Sequence, residues 1–377
     1  YRSFRIVTDR EQRPDRPAGM FLLNDQPVFL RGTAVSPALN TFWYWRQEDR
    51  LLDAVLMMKA SNFNAIRACE HIECAEVREL QDRLGMMSEQ DMVGFGDGHV
   101  PTADGGAGNA SVSVAVMADL CVRLIRVCYN NPGVVLLTTG GIETHFDPLA
   151  IVTAVLVADP GRIIKPISGN MRDWPSAYEC PPPDYPSLLP ENWDNVVNDF
   201  HCYNGWYRRA LDFSKVCQRY PPDRLLTAGE YGAEALDAYE TMQRYPPQLR
   251  PPPITENTLW GHAQVKRGDP RLTLGLRGKT PDNLGDYIEA SQAYQADAMA
   301  EQTTGFRLSP RRIGGQFIFH FIDALPTEWQ KSIVSFDFRP KKVFFEMAQV
   351  NQPVVPLFQI GDQARTLDLW VANDKSR

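Results

Sequence analysis

No apolar run in the 377-residue sequence approaches the roughly 18–20 residues that a membrane-crossing helix needs. The longest, LAIVTAVLVA at 149–158, reads as a buried helix. Positive charge is not in excess either. Lys and Arg number 39 against 46 Asp and Glu, and the net charge of −7 argues against nucleic acid or an anionic membrane as partner, because phosphate binding wants a basic face. The seven cysteines (69, 74, 121, 128, 180, 202 and 217) include no CxxC pair. Most fall in apolar segments and read as unpaired buried thiols, with one or two disulfides as the alternative in a secreted protein. The six histidines form no HExxH or comparable cluster, so no metal is expected; Asp91, Asp97 and His99 are weak ligand candidates. GFGDG at 94–98 lacks the strand–GxGxxG–helix setting of a phosphate cradle, and no cofactor is expected. The opening YRSFRIVTD carries neither an initiator Met nor a signal peptide. It reads as part of something longer, whose compartment is not directly legible, with a periplasmic or secreted location slightly favoured over the cytoplasm.

What the sequence does contain is a rhythm. A short apolar or β-branched run ends in a small or polar residue and gives way to a helical pattern. Such runs fall at 28–35, 64–70, 86–91, 134–141, 162–169, 200–204, 225–231 and 315–323. Helical patterns follow at 50–60, 75–84, 112–129, 147–157 and 206–219. Strands alternating with helices imply parallel pairing through crossover helices. Doubly wound sheets usually use five or six strands, so eight point to an α/β fold closed as a (β/α)8 TIM barrel, a single unit of about 250 residues or more. The expected division is 1–20 as the end of a preceding domain or linker, 21–352 as the barrel, and 353–377 as the beginning of a C-terminal β-sandwich domain, from the alternation of TLDLWVAND. Stretches 93–111, 170–198 and 233–283 interrupt the rhythm after the third, fifth and seventh strands, on the rim where barrel sites are built.

Polar residues at the C-terminal ends of barrel strands point into the pocket rather than the core. This selects Arg67 and Glu70, Glu89 to Asp91, Glu143 and His145, His201 and Tyr203, Glu230 and Tyr231, and Asp323. Glu143 and Glu230, after the fourth strand and at the end of the seventh, can face each other across a pocket. That is the arrangement in which one carboxylate attacks an anomeric carbon while a protonated partner, about 5–5.5 Å away, donates to the leaving oxygen. The ionised attacker keeps the partner's pKa high by like-charge repulsion.

Co-linear segments carry a resemblance. They are FLLNDQPVFLRG (21–32), MKASNFNAIR (58–67), ELQDRLGMMSEQD (79–91), NNPGVV (130–135), DFHCYNGWY (199–207), LTAGEYGAEAL (226–236), GGQFIFHFIDALP (314–326) and PKKVFFEMAQVNQPVVP (340–356). Their order resembles glycoside hydrolase family two, which holds β-galactosidases, β-glucuronidases and β-mannosidases. The resemblance implies a retaining exo-β-glycosidase acting on a carbohydrate, with Glu230 as nucleophile. It implies that Tyr203 hydrogen-bonds Glu230, that Arg67 helps hold it ionised, and that His201 and Trp206 line the sugar site. Self-association into a homo-oligomer is left open.

The sequence also departs from that family. Its Gly-Asn-Glu, with Glu as proton donor and Asn bonding the 2-hydroxyl, meets Thr138-Thr139-Gly140-Gly141-Ile142-Glu143. Ungapped alignment puts Ile142 on the catalytic Glu; one extra strand residue puts Glu143 there, and the Asn is missing either way. The eighth-strand Trp falls on Phe319 and the Asn on Ile322, while Asp323 is kept. The histidine expected soon after Arg67 is displaced, with Glu70 and His71 as substitutes. Two readings follow. One is an active glycosidase with Glu143 as acid/base, suited to a sugar whose 2-position is not the usual equatorial hydroxyl, an amino sugar among them. The other is a diverged barrel that binds glycans without hydrolysing them.

Overall fold

Eight parallel strands form one sheet in the order β4 (Leu30–Val35), β5 (Ala65–Ala68), β6 (Met87–Asp91), β9 (Val134–Thr138), β10 (Ile163–Lys165), then β11 (Asn198–Cys202), β12 (Leu226–Tyr231) and β13 (Ile313–Ile318), which returns to pair with β4. The ring closes between β10 and β11 through a bridge from Ile164 to Val196, with Val197 N donating to Ile164 O at 3.0 Å. The computed structural model describes residues 3–8, 19–92, 100–101, 107–108, 114–140, 148–169, 195–203, 225–247, 283–309, 313–326, 331–360 and 366–374. A parallel sheet covered by helices buries both faces, which explains near-continuous apolar runs such as Val134–Leu137.

The N-terminal end of the barrel is plugged. β1 (Phe4–Thr8), β2 (Gly19–Leu23) and β3 (Gln26–Val28) form an antiparallel sheet outside the ring. Phe4 stacks on Phe21 with centroids 5.2 Å apart, and both join a buried cluster with Leu30, Ala65, Met87, Leu136, Ile163, Val197, Leu225 and Phe317, which lie on or just before each of the eight barrel strands. Gly32 is required here, because a Cβ on it would lie 2.2 Å from the Phe317 ring that fills the barrel axis.

Helices α1 (Ala38–Tyr44), α2 (Glu48–Ala60), α3 (Ala75–Leu84), α4 (Val114–Cys128), α5 (Pro148–Ala158), α6 (Tyr239–Met242), α7 (Leu284–Arg307) and α8 (Lys342–Val350) belong to the described residues. Gly85, with φ 68°, ends α3 in the left-handed conformation that favours glycine. Asn283 caps α7 by accepting from Asp286 N at 3.0 Å. The 24-residue α7 has no apolar signature to match its burial. Its buried face carries Gln292 and Gln295, whose amides donate to Leu236 O and Ala233 O at 2.9 and 2.8 Å. The fifth strand is shorter than the run at 162–169, because Pro166 has no N–H to continue the ladder. The eighth ends at Ile318 rather than 323. A helix at 206–219 lies outside the described residues. The short pair β7 (Val100–Pro101) and β8 (Ala107–Gly108) falls in the Gly-rich stretch after β6.

β14 (Val354–Ile360) and β15 (Leu367–Asn373) make an antiparallel hairpin after the barrel. Asp374, just past it, takes Arg31 from β4 and Arg307 from α7, the latter at 2.9 Å, and both arginines are buried. Removing one partner of a buried ion pair leaves uncompensated charge. Asp374→Ala is therefore expected to cost about 3–5 kcal/mol in urea unfolding, whereas an exposed Asp25→Ala in the Arg5 pair should cost under about 1 kcal/mol. Equal, small effects would show that Asp374 does not anchor the hairpin.

Candidate active site

Above the apolar plug the barrel axis becomes charged. Lys165, fully buried, sits 2.7 Å from Glu89 Oε1 and 3.0 Å from Asp199 Oδ1. Thr138 donates to Glu89 and Thr227 to Asp199, both at 2.6 Å. Burial works against the charge on Lys165, but Asp199 and Glu89 outweigh it and raise the ammonium pKa. Burial also raises the pKa of Glu89, with Lys165 opposing.

The next layer towards the C-terminal rim is organised by Arg67 on β5. Its Nε and Nη2 donate to Asp91 on β6, at 3.0 and 2.6 Å to Oδ2. Nη2 also reaches Ser168 Oγ at 2.6 Å, and Nη1 reaches Gly229 O at 2.9 Å and Glu230 Oε1 at 3.0 Å. Glu230 is the penultimate residue of β12, and its other oxygen, Oε2, accepts from the Tyr203 hydroxyl at 2.7 Å with His201 Nδ1 at 3.3 Å. Cys69 Sγ lies 3.5 Å from Oε1. Burial alone would raise the Glu230 pKa. His201, Arg67, the Tyr203 hydroxyl and Lys331 act the other way and bring it to about 2. Burial lowers the pKa of His201, so at neutral pH the ring is uncharged and Arg67 supplies the ion pair that holds Glu230 ionised.

Local backbone geometry aims these side chains. Alternation points Arg67, Glu89 and Asp91 inward, while Ile66 packs outward against the helices. On β12 alternation is broken: His201 pairs with Glu230 although Phe200 pairs with Ala228, leaving Gly229 as an extra residue. Such a bulge re-aims the side chain that follows it. A Cβ on Gly229 would lie 2.1 Å from Asp199 Oδ2, so only glycine fits the bulge.

Of the residues singled out from the sequence, the structure brings together Arg67, Asp91, His201, Tyr203 and Glu230. Phe319 is close by, packed with Ala34, Cys69 and Tyr203. Glu70 is exposed with φ 57°, and its backbone N donates to Asp91 Oδ2 at 3.1 Å. His71 is half-buried with Nδ1 2.8 Å from Cys69 O. Asp323 pairs with His320 at 3.1 Å rather than with the Arg67–Glu230 group. Tyr231 is corrected from pocket to core. It follows inward-facing Glu230, so it points outward, fully buried, with its ring against Phe306 and its hydroxyl 2.8 Å from Thr303. Glu143, His145 and Trp206 lie outside the described residues.

Ser168 and Lys331 were not anticipated. Ser168 follows β10 in a tetrapeptide with no motif, and its position between Arg67 and His201 exists only once the barrel closes. Lys331, buried in the chain beyond β13, places its ammonium 4.0 Å from the Tyr203 ring centroid and 5.2 Å from that of Phe319. Among the described residues, no group of three or more His, Cys, Asp or Glu side chains has the geometry to hold a metal ion. No described helix is long and apolar enough to cross a membrane. The described cysteines 69, 74, 121, 128 and 202 are free thiols.

Comparison with known proteins places this arrangement. Residues 17–296 match the family model described as glycosyl hydrolases family 2, TIM barrel domain. β-Mannosidase B of Aspergillus flavus is 24% identical over 375 residues, covering 91% of this chain and 42% of its own length. β-Galactosidase of Leuconostoc mesenteroides is 25% identical over 163 residues, 42% of this chain and 15% of its own. Among solved structures, the β-D-mannosidase of Dictyoglomus thermophilum superposes with a TM-score of 0.72 at 18% identity, over 99% of this chain and 44% of that one. The exo-chitosanase of Amycolatopsis orientalis gives 0.67 at 16%, over 97% and 42%. These likenesses support the same barrel fold. The chain spans less than half the length of each of these relatives.

The depressed Glu230 pKa makes a prediction about stability. A carboxylate at about 2 in the folded state against 4.5 as its ordinary value stabilises the fold above pH 4.5, and the contribution is lost as pH falls through about 2. The window is worth about 3 kcal/mol. The stability difference between the wild type and Glu230→Gln, followed by urea unfolding across that range, should change by about this amount. A difference that does not move with pH would contradict the ion pair.

Proposed function

The chain belongs to family 2 of the glycosyl hydrolases, and on that footing we propose that it cleaves a terminal β-linked sugar with retention of configuration. In this reading Glu230 is the nucleophile and Glu143 the acid/base. The observation that carries it is the Glu230 carboxylate itself. It stands at the C-terminal mouth of a (β/α)8 barrel, ionised, with Arg67 on one oxygen and the Tyr203 hydroxyl on the other.

The chemistry follows from that charge state. A carboxylate with a pKa of about 2 stays ionised at pH values where a second carboxyl of raised pKa is protonated, so the two roles separate across the working pH range. In the first step Glu230 attacks the anomeric carbon as Glu143 protonates the departing oxygen, and the glycosyl ester forms. In the second, Glu143 takes a proton from water, water attacks the same carbon, and Glu230 leaves as the carboxylate. Its low basicity makes it a good leaving group in the second step. As the ester forms, the charge on Glu230 falls; Arg67 keeps Asp91 as a full counter-charge, so the guanidinium stays paired throughout.

Residue 142 bears on the substrate. In the alignment that puts Glu143 on the acid/base, Ile142 falls on the family's asparagine, which bonds the 2-hydroxyl, and an isoleucine side chain cannot donate to an equatorial oxygen. This supports a sugar with another 2-substituent, the axial hydroxyl of a β-mannoside or the amine of a β-glucosaminide. A β-D-mannosidase and an exo-chitosanase among the structural neighbours are in keeping with that class. The same isoleucine is what favours the second reading, a barrel that binds such glycans without cleaving them.

Aryl β-mannosides, β-glucosaminides, β-galactosides and β-glucuronides distinguish these outcomes. Turnover is expected for one of the first two, and Glu230→Gln should lower kcat by roughly 10³-fold or more while calorimetry still detects sugar binding. Saturable binding with no turnover of any aryl glycoside would replace the enzyme with the binding protein. An unimpaired Gln variant would remove Glu230 from the chemistry. Glu143→Gln should lose roughly 10²–10⁴-fold on substrates with basic leaving groups and far less on activated aryl glycosides. Equal losses on both would exclude Glu143 as the proton donor.

A further inference from the structure

We propose that Ser168 is a positioning residue that fixes the tautomer of His201, placing the ring proton on Nδ1, where it faces Glu230. Arg67 Nη2 lies 2.6 Å from Ser168 Oγ, and a guanidinium only donates, so this contact uses an acceptor site on the hydroxyl. Ser168 Oγ also lies 3.0 Å from His201 Nε2. A hydroxyl oxygen can accept twice, so Arg67 alone does not set the direction; Glu230 Oε2, 3.3 Å from Nδ1, only accepts, and both ring nitrogens are paired when the Ser168 hydroxyl donates to Nε2. In a neutral imidazole the proton consequently sits on Nδ1, 3.3 Å from Glu230 Oε2. The opposite tautomer would put a bare Nδ1 lone pair against a carboxylate.

The charged groups around the ring are Glu230 and Asp199, whose Oδ2 is 3.6 Å from Nε2, with Arg67 and Lys165 of opposite sign. Burial outweighs the two carboxylates and keeps the ring neutral, so its influence on Glu230 at neutral pH is that of an aimed N–H dipole. Arg67 therefore acts on the nucleophile twice, directly on Oε1 and through Ser168 and His201 on Oε2. In the sugar-cleaving reading on which the catalytic consequence rests, the second route keeps a donor on Glu230 when a hydroxyl of the substrate competes for Tyr203.

The test reads the ring and not the reaction. With ¹⁵N-histidine labelling, and the His201 signals identified by their loss in His201→Asn, the wild type should show a pyrrole-like Nδ1 and a pyridine-like Nε2. Ser168→Ala should shift the proton to Nε2 and raise the pH at which the ring titrates, because a bare Nδ1 beside Glu230 attracts a second proton. Ser168→Thr, which keeps the hydroxyl, should restore the wild-type pattern. A wild-type ring protonated on Nε2, or a Ser168→Ala ring unchanged in tautomer and titration, would overturn the proposal. Neither result depends on turnover, so a protein that binds sugars without cleaving them could still bear out the assignment.

Discussion

A guanidinium buried in a barrel is costly unless every donor finds an acceptor, and the arrangement of the mouth follows from meeting that demand for Arg67. Asp91 takes one edge, Ser168 a corner, and the Gly229 carbonyl with Glu230 the other edge. The acceptors come from β6, β12 and the chain beyond β10, so the cation ties together strands far apart in sequence. Desolvating a charge costs several kcal/mol, and such a group persists only when its partners are placed by the fold. The same contacts that satisfy Arg67 force Glu230 to be an anion, and the anion is what the proposed chemistry requires.

Below this layer the Lys165–Glu89–Asp199 group repeats the pattern, cation between carboxylates, at the centre of the barrel. Asp199 links the levels, because it binds Lys165, occupies the space that Gly229 leaves open, and approaches His201. The bulge at Gly229 thus serves two ends: it admits Asp199 to the axis and turns Glu230 towards the pocket. Stability and site geometry come from the same glycine.

The sequence carried most of the barrel, because each strand is a short apolar run whose polar end faces the rim. Arg67, Asp91, His201, Tyr203 and Glu230 were legible for that reason. For Tyr231 the sequence left pocket and packing both open, because rim position alone does not distinguish the two faces of a strand, and the face is decided by its inward-pointing neighbour. Helix α7 was hidden by Gln292 and Gln295, which bond backbone carbonyls where an amphipathic helix would show Leu or Val. Ser168 was illegible because a small hydroxyl gains its meaning from Arg67 and His201, 101 and 33 residues away. Lys331 likewise reaches Tyr203 only through the packed chain that follows β13.

The central claim is that Glu230 forms a covalent bond to the sugar. An activated 2-deoxy-2-fluoro β-glycoside, matched to the aryl glycoside that turns over fastest, stalls such an intermediate long enough for peptide mass spectrometry. The account predicts a single fluoroglycosyl adduct, located on Glu230 and lost in Glu230→Gln. Time-dependent inactivation with the label on any other carboxylate would contradict it.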